Sequence, residues 1–155
     1  MLKYKRILCA FDFDENSIAA LHLASALARE SSAILFIGHI ARVPNLDQDV
    51  PLPFEEHPRW EREALSKLSV IAAHELPADG QYQIEIRSGL PAIDIVRMAE
   101  DLSVDLIVMA THGYKGLKHF VMGSVTEQVI REATCPVLVI RPSIDEKEPQ
   151  SSPSS

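Results

Sequence analysis

The stretch MATHGYKGLKHFVMGSVTEQVI, residues 109–130, places Gly113, Gly116 and Gly123, half of the six glycines in the chain, within eleven residues. Glycines cluster where a backbone turns through positive φ or comes very close to another group. Ser124 followed by Glu127 has the spacing of a capping box just ahead of Val125, Val129 and Ile130, which predicts a helix start at Gly123–Ser124. First-turn N–H groups beside a glycine loop form a concave nest of donors suited to an anion, with phosphate the leading guest. A turn and a capped helix holding no ligand would use the same residues. Neither G-x-x-x-x-G-K-[ST] nor G-x-G-x-x-G occurs, which counts against an ordinary P-loop enzyme and a dinucleotide dehydrogenase.

Other residue types capable of chemistry are less well placed. His112 and His119 flank the loop, but no Cys, Asp or Glu stands at a ligand spacing from them, so no transition-metal site is expected and His112 reads as a phosphate donor. Lys115 and Lys118 either screen phosphates or are solvated. Asp12 reads as a favourable charge at a helix start or as a ligand contact, and His39, ending an apolar run, as a hydrogen-bonded core histidine. Cys9 and Cys135 form no C-x-x-C pair and lie in apolar runs, where a thiol is a small buried hydrophobe. No Ser-His-Asp or Cys-His order and no positioned base emerges, so turnover is expected to be slow or absent.

The elements that must position these groups follow a βα rhythm. Apolar runs at Arg6–Phe11, Ala33–Ile40, Asp105–Ala110 and Pro136–Arg141 predict buried strands, and Tyr82, Ile84 and Ile86 alternate with polar residues as an edge strand. Helical spacing predicts helices over Ser17–Arg29 (capped by Asp14 or Asn16), Pro58–Leu76, Ala92–Leu102 (after Pro91) and Val125–Ala133. Alternation of this kind implies a mostly parallel, helix-covered α/β sheet. Residues 41–57, with Pro44, Pro51 and Pro53, read as a long connection, and residues 143–155 as a disordered tail after a single domain over 1–142.

Fifteen basic residues against 22 acidic ones argue against nonspecific nucleic-acid binding, which needs clustered Lys and Arg. The apolar run near the start is short and is followed at once by acids, so neither a secretion signal nor a membrane span is expected and the protein reads as cytoplasmic.

The spacing from Ala110 through Gly113 to Gly123-Ser124, then Val125, Glu127 and Val129, then Cys135-Pro136-Val137-Leu138-Val139, resembles the universal stress protein family. ILCAFDFDENSIAAL near the start and GLPAIDIVRMAE before the fourth strand extend the resemblance over nearly the whole chain. It implies a Rossmann-like α/β fold, an open five-stranded parallel sheet of order 3-2-1-4-5 with helices on both faces and a nucleotide crevice between the ends of strands one and four, where open α/β sheets bind ligands. It further implies ATP with Mg²⁺ or Mn²⁺, a regulatory role in the stress response exerted on an unidentified protein, and a homodimer paired through the fifth strand. Carried over by position, Asp12 meets the ribose, Ile40, ending strand two, packs near the adenine, and Met109 flanks the nucleoside. Ala110, His112, Gly113, Gly123, Ser124 and Val125 take the phosphates, and Ala10, in place of the family's usual proline, completes the set.

Three departures bear on that site. Ala110 replaces the first motif glycine, which is tolerable at negative φ. Phe11 follows Ala10, and Asp14 replaces the family serine. A second carboxylate repels a triphosphate unless it turns away as a helix cap or a cation intervenes. The alternatives are a protein-interaction module of the same fold without nucleotide, and, on fold analogy alone, a slow ATP hydrolase.

Overall fold

The computed structural model describes residues 3–42, 57–111 and 122–141. Along these run β1 (Arg6–Ala10), α1 (Glu15–Ser31), β2 (Ile34–Arg42), α2 (His57–Glu75), β3 (Tyr82–Gly89), α3 (Pro91–Asp101), β4 (Leu106–Ala110), α4 (Ser124–Glu132) and β5 (Val137–Ile140). The strands form one parallel sheet in the order β3-β2-β1-β4-β5, so the chain steps outward from β1 to β3 and then crosses to the other side of β1. That is the order the sequence resemblance implies. The connection at 43–56 and the tail at 142–155 lie outside the described residues.

Strand register sorts the core into two layers. Ile7, Cys9, Phe11, Leu35, Ile37 and Val108 pack with Ala20, Leu21 and Ala24 of α1 and Leu68, Ala72 and Leu76 nearby. Their sequence neighbours Leu8, Ala10, Phe36, Ile107 and Met109 point the other way, onto Ile95, Val96, Met98 and Ala99 of α3 and Val129 of α4. Strands buried on both faces carry continuous apolar runs, as RILCA and LIVMA do. β3, at the edge, is only half-buried and alternates instead.

Local chemistry sets the element ends. Asp14 is the α1 N-cap, accepting from the Asn16 N–H at 3.2 Å, and Pro91 opens α3 at the first helical position. β2 continues past Ile40 to Arg42 because β3 stays paired with it as far as Gly89, so Ile40 does not end the strand as the sequence reading expected. At the amino edge the Asp105 carboxylate accepts from the Lys5 and Arg6 N–H groups at 2.8 and 3.2 Å, and Arg6 Nε donates to the Leu102 carbonyl at 2.6 Å. These bonds tie β1 to the α3–β4 turn.

Gly38 sits where β2 passes under α3. A β-carbon there would lie 2.5 Å from Met98 Sδ and 2.8 Å from Leu8 Cδ1, both on fully buried side chains. Gly38→Ala is therefore predicted to destabilise the fold by about 1–3 kcal/mol through overpacking. Urea unfolding of parent and variant measures this; an unchanged midpoint would show that Met98 gives way freely.

Candidate functional site

The carboxyl edge of β1 lies between β2 and β4. On one side Phe11 N–H still donates to the Gly38 carbonyl of β2 at 2.8 Å. The chain then turns through Phe13, whose φ of 64° lies in the left-handed region that side chains rarely adopt. Two contacts hold the turn. The Phe13 ring meets Phe11 edge-on at 5.3 Å and His39 at 4.7 Å between centroids, and Asp12 closes a hydrogen-bond ring beneath it. Asp12 Oδ1 accepts from the Asp14 N–H at 2.9 Å and from the Ser17 hydroxyl, whose oxygen in turn accepts the Asp12 N–H at 3.2 Å. Asp12 is exposed, and its carboxylate is fixed at the mouth of the turn.

On the other side of β1, the β4–β5 ladder runs one residue beyond β4: Thr111 N–H donates to the Ile140 carbonyl at 3.1 Å. Asn16 Nδ2, in the first turn of α1, donates to the Thr111 carbonyl at 3.4 Å and so bridges the two sides of the strand-order reversal. Thr111 is 1% exposed, and its Oγ1 is a buried polar atom without a hydrogen-bond partner. Strand alternation puts its side chain on the face of Ile107 and Met109, the face that Val125 and Val129 of α4 cover.

α4 starts at Ser124 with Gly123 as its N-cap. The boundary is the one predicted, but the capping box does not form. Ser124 is already helical, Gly123 has no side chain with which to cap, and Glu127 accepts from Arg131 at 2.9 Å one turn along. Chain entry one residue earlier than the S-x-x-E pattern requires leaves the first-turn amides without side-chain capping. With φ −63° and ψ 153°, the backbone of Gly123 is open to any residue; the absence of a side chain over the amides is what distinguishes it.

The remaining sequence-predicted residues separate cleanly. Ala10, Ile40 and Met109 fall on one face of the sheet, in one cluster, and are almost wholly buried. Ala110 ends β4 in extended backbone, where alanine is unstrained, and Val125 is half-buried against the same cluster. Asp14 is turned onto the α1 amides, the arrangement that removes its conflict with a phosphate. His112 and Gly113, with Gly116, lie outside the described residues, as do Lys115, Lys118 and His119. Thr111 and Ser17 are structural participants that the sequence reading missed, and Asn16, read there as a possible cap, instead bridges to the Thr111 carbonyl. For Thr111 the available signal was its strand alternation with Met109 and Ile107.

Nucleophilic and metal chemistry find little support here. Burial, helped by the Asp12 charge, pushes the Cys9 thiol up to about 12, far from a reactive thiolate. His39 is hydrogen-bonded as expected, Nδ1–H donating to the Phe11 carbonyl at 2.7 Å, but it is half-buried against Phe13 and belongs to neither core cluster. Among the described residues no group of three or more His, Cys, Asp or Glu is placed to hold a metal ion, and no helix is long and apolar enough to cross a membrane.

Residues 3–141 match the sequence model of the Universal stress protein family. The chain belongs to that family. Universal stress protein MJ0531 of Methanocaldococcus jannaschii is 34% identical over 148 residues, covering 89% of this chain and 82% of the relative. Universal stress protein YxiE of Bacillus subtilis is 34% identical over 147 residues, covering 89% of this chain and 99% of the relative. The solved structure of MJ0577, also from M. jannaschii, superposes with a TM-score of 0.76 at 30% identity, over 92% of this chain and 99% of that one. A universal stress protein solved in complex with cAMP shares the fold, with a TM-score of 0.66 at 19% identity over 92% of this chain and 100% of that one.

The site carries a pH signature through His39. Burial lowers its pKa below the ordinary 6.5, against the opposing pull of the Phe11 carbonyl and the Asp12 charge. Between that lowered value and 6.5 the unfolded chain binds the proton more readily than the fold. The contribution of His39 is therefore complete above pH 6.5 and lost as pH falls toward the lowered pKa. His39→Gln is predicted to flatten the corresponding part of the stability curve, measured as the unfolding free energy of parent minus variant between pH 7.5 and pH 5. A difference that does not change with pH would refute the assignment.

Proposed function

We propose that this universal stress protein is an ATP-binding regulatory module of the stress response, with the nucleotide in the crevice above β1 and β4 and its phosphates at the amino end of α4. The observation that carries the reading is the start of α4 on a side-chain-free Gly123, at the carboxyl edge of a sheet whose strand order reverses beside it. Uncapped first-turn amides and the positive end of the helix dipole are a ready site for phosphate. Ser124 and Val125 supply amides of that turn, with Ala110, His112 and Gly113 completing the loop by position. Asp12, fixed by Ser17 and the Asp14 amide, is available as the ribose partner. Ala10, Ile40 and Met109 share the face assigned to the nucleoside. The cAMP bound by a protein of the same fold supports a nucleotide as the ligand class.

Mg²⁺ or Mn²⁺ fits as a companion of the triphosphate, neutralising charge that Asp12 would otherwise repel. With no base positioned against the crevice among the described residues, ATP serves as a ligand whose binding alters what the protein presents to its regulated partner, and hydrolysis is slow or absent. Calorimetry with Mg-ATP on the purified chain tests this. Gly123→Asp is predicted to weaken ATP at least tenfold without unfolding the protein, because its carboxylate occupies the anion nest. Asp12→Ala is predicted to weaken adenosine as well as ATP. No heat and no thermal shift with millimolar ATP on the parent would end the nucleotide reading and leave the interaction-module alternative.

The assembly reading rests on β5. This four-residue strand, VLVI, forms one edge of the sheet, with Leu138 37% exposed and Ile130 of α4 44% exposed nearby in sequence. A bare apolar edge favours pairing, and isologous pairing with a second copy closes it. A homodimer of twice 17.2 kDa is expected, weakened by Val139→Lys. Light scattering that returns the mass of one chain at micromolar concentration would refute it.

A further inference from the structure

A cavity of about 310 Å³ opens at the amino edge of the sheet, where β2 and β3 begin side by side with Leu35 paired to Tyr82. This is the edge opposite the crevice. Ala28, Ala33, Leu35 and Leu76 give the cavity a buried apolar floor, to which Ser25, 7% exposed, adds a hydroxyl. Tyr82 is half-buried in the same lining and packs against that layer of the core. The rim carries one charge of each sign, Arg29 of α1 and Asp79 of the turn before β3. Among the described residues neither is in an ion pair. The turn is closed by Gly80 N–H, which donates to the Pro77 carbonyl at 2.9 Å and so holds Asp79 at the rim.

Two helices end here, α1 at Ser31 with Ser32 as its left-handed C-cap, and α2 at Glu75, just before Leu76. Helix carboxyl ends are partially negative, so Arg29, in the last turn of α1, is favourably placed with or without a ligand. Asp79 is not. Beside two such ends a carboxylate is disfavoured, and a cationic group brought into the cavity would offset both. A simple cation would also meet Arg29, and a simple anion would meet Asp79 and the helix ends. A molecule carrying both charges finds a partner for each. The apolar floor favours an aliphatic body, and a largely apolar recess with a few convergent polar groups is the usual form of a small-molecule site. We infer that this cavity is a second ligand site, taking a small aliphatic zwitterion of the α-amino-acid class. Its carboxylate pairs with Arg29, its ammonium with Asp79, and its side chain covers the floor. The inference does not depend on the nucleotide reading, whose residues lie at the other edge of the sheet.

Free L-leucine is the probe, with isoamylamine and isocaproate as analogues that lack its carboxylate and its ammonium. Titration of the isotope-labelled full-length protein, followed by NMR, is expected to give L-leucine a Kd of about 1 mM or tighter. The amide shifts are expected to centre on Ser32, Gly80 and Gln81. Each analogue is expected to bind at least about fivefold more weakly than L-leucine. Arg29→Gln and Asp79→Asn, both at exposed positions where folding tolerates the change, are each expected to weaken L-leucine about fivefold. Absence of any shift at roughly 10 mM L-leucine overturns the inference. So do shifts centred on Asp12 and Gly123 instead, an analogue that binds as tightly as L-leucine, or an unchanged affinity in either variant.

Discussion

The structure depends on β1 being covered on every side. Ile7, Leu8 and Cys9 have no exposed surface; β2 and β4 bond to the strand's two edges, and helices cover both of its faces. A strand so enclosed cannot turn back within its own layer, so the chain must leave at the carboxyl edge and find helical cover outside. Because β2 lies on one side of β1 and β4 on the other, the strand order reverses at β1, the place where open α/β sheets hold their ligands. The candidate site is a consequence of that enclosure.

The turn after β1 shows how the fold accommodates strain at that point. Phe13 adopts a left-handed backbone that costs about 1–2 kcal/mol for a residue with a side chain. Its ring is nonetheless anchored between Phe11 and His39, and the Asp12–Ser17–Asp14 bonds fix the backbone from beneath. Two carboxylates so close together would be a poor doorway for an anion if both faced it. Capping α1 turns Asp14 onto a helix start, where negative charge is favourable.

The opposite wall of the crevice is built on different physics. Here the Thr111 backbone locks the end of β4 to both β5 and α1, while α4 begins without a side-chain cap. A helix start on glycine gives up only a few tenths of a kcal/mol relative to a capping serine, and no side chain covers its first-turn amides. The proposed nucleotide reading sets the Asp12 carboxylate on the β1 side toward the sugar and the α4 start on the β4 side toward the phosphates.

The sequence by itself determined the number and order of the elements, because apolar runs and helical spacing are local patterns, and it determined the family through the glycine spacing near residue 113 and the apolar runs that flank it. It narrowed the α1 cap to Asp14 or Asn16 because capping depends on neighbours a few residues away, whereas His39, expected in the core, is half-buried at the strand's end. Tertiary structure decided the rest. The capping box failed because one residue of chain entry, set by how α4 meets the sheet, moved the N-cap from Ser124 to Gly123. β2 outran Ile40 because its length is fixed by pairing with β3, some forty residues later. Thr111 was legible as a position in an alternating strand, but whether its hydroxyl would find a partner depended on β5, α1 and α4 meeting around it, and hydrogen-bond satisfaction is a property of packed neighbours rather than of sequence.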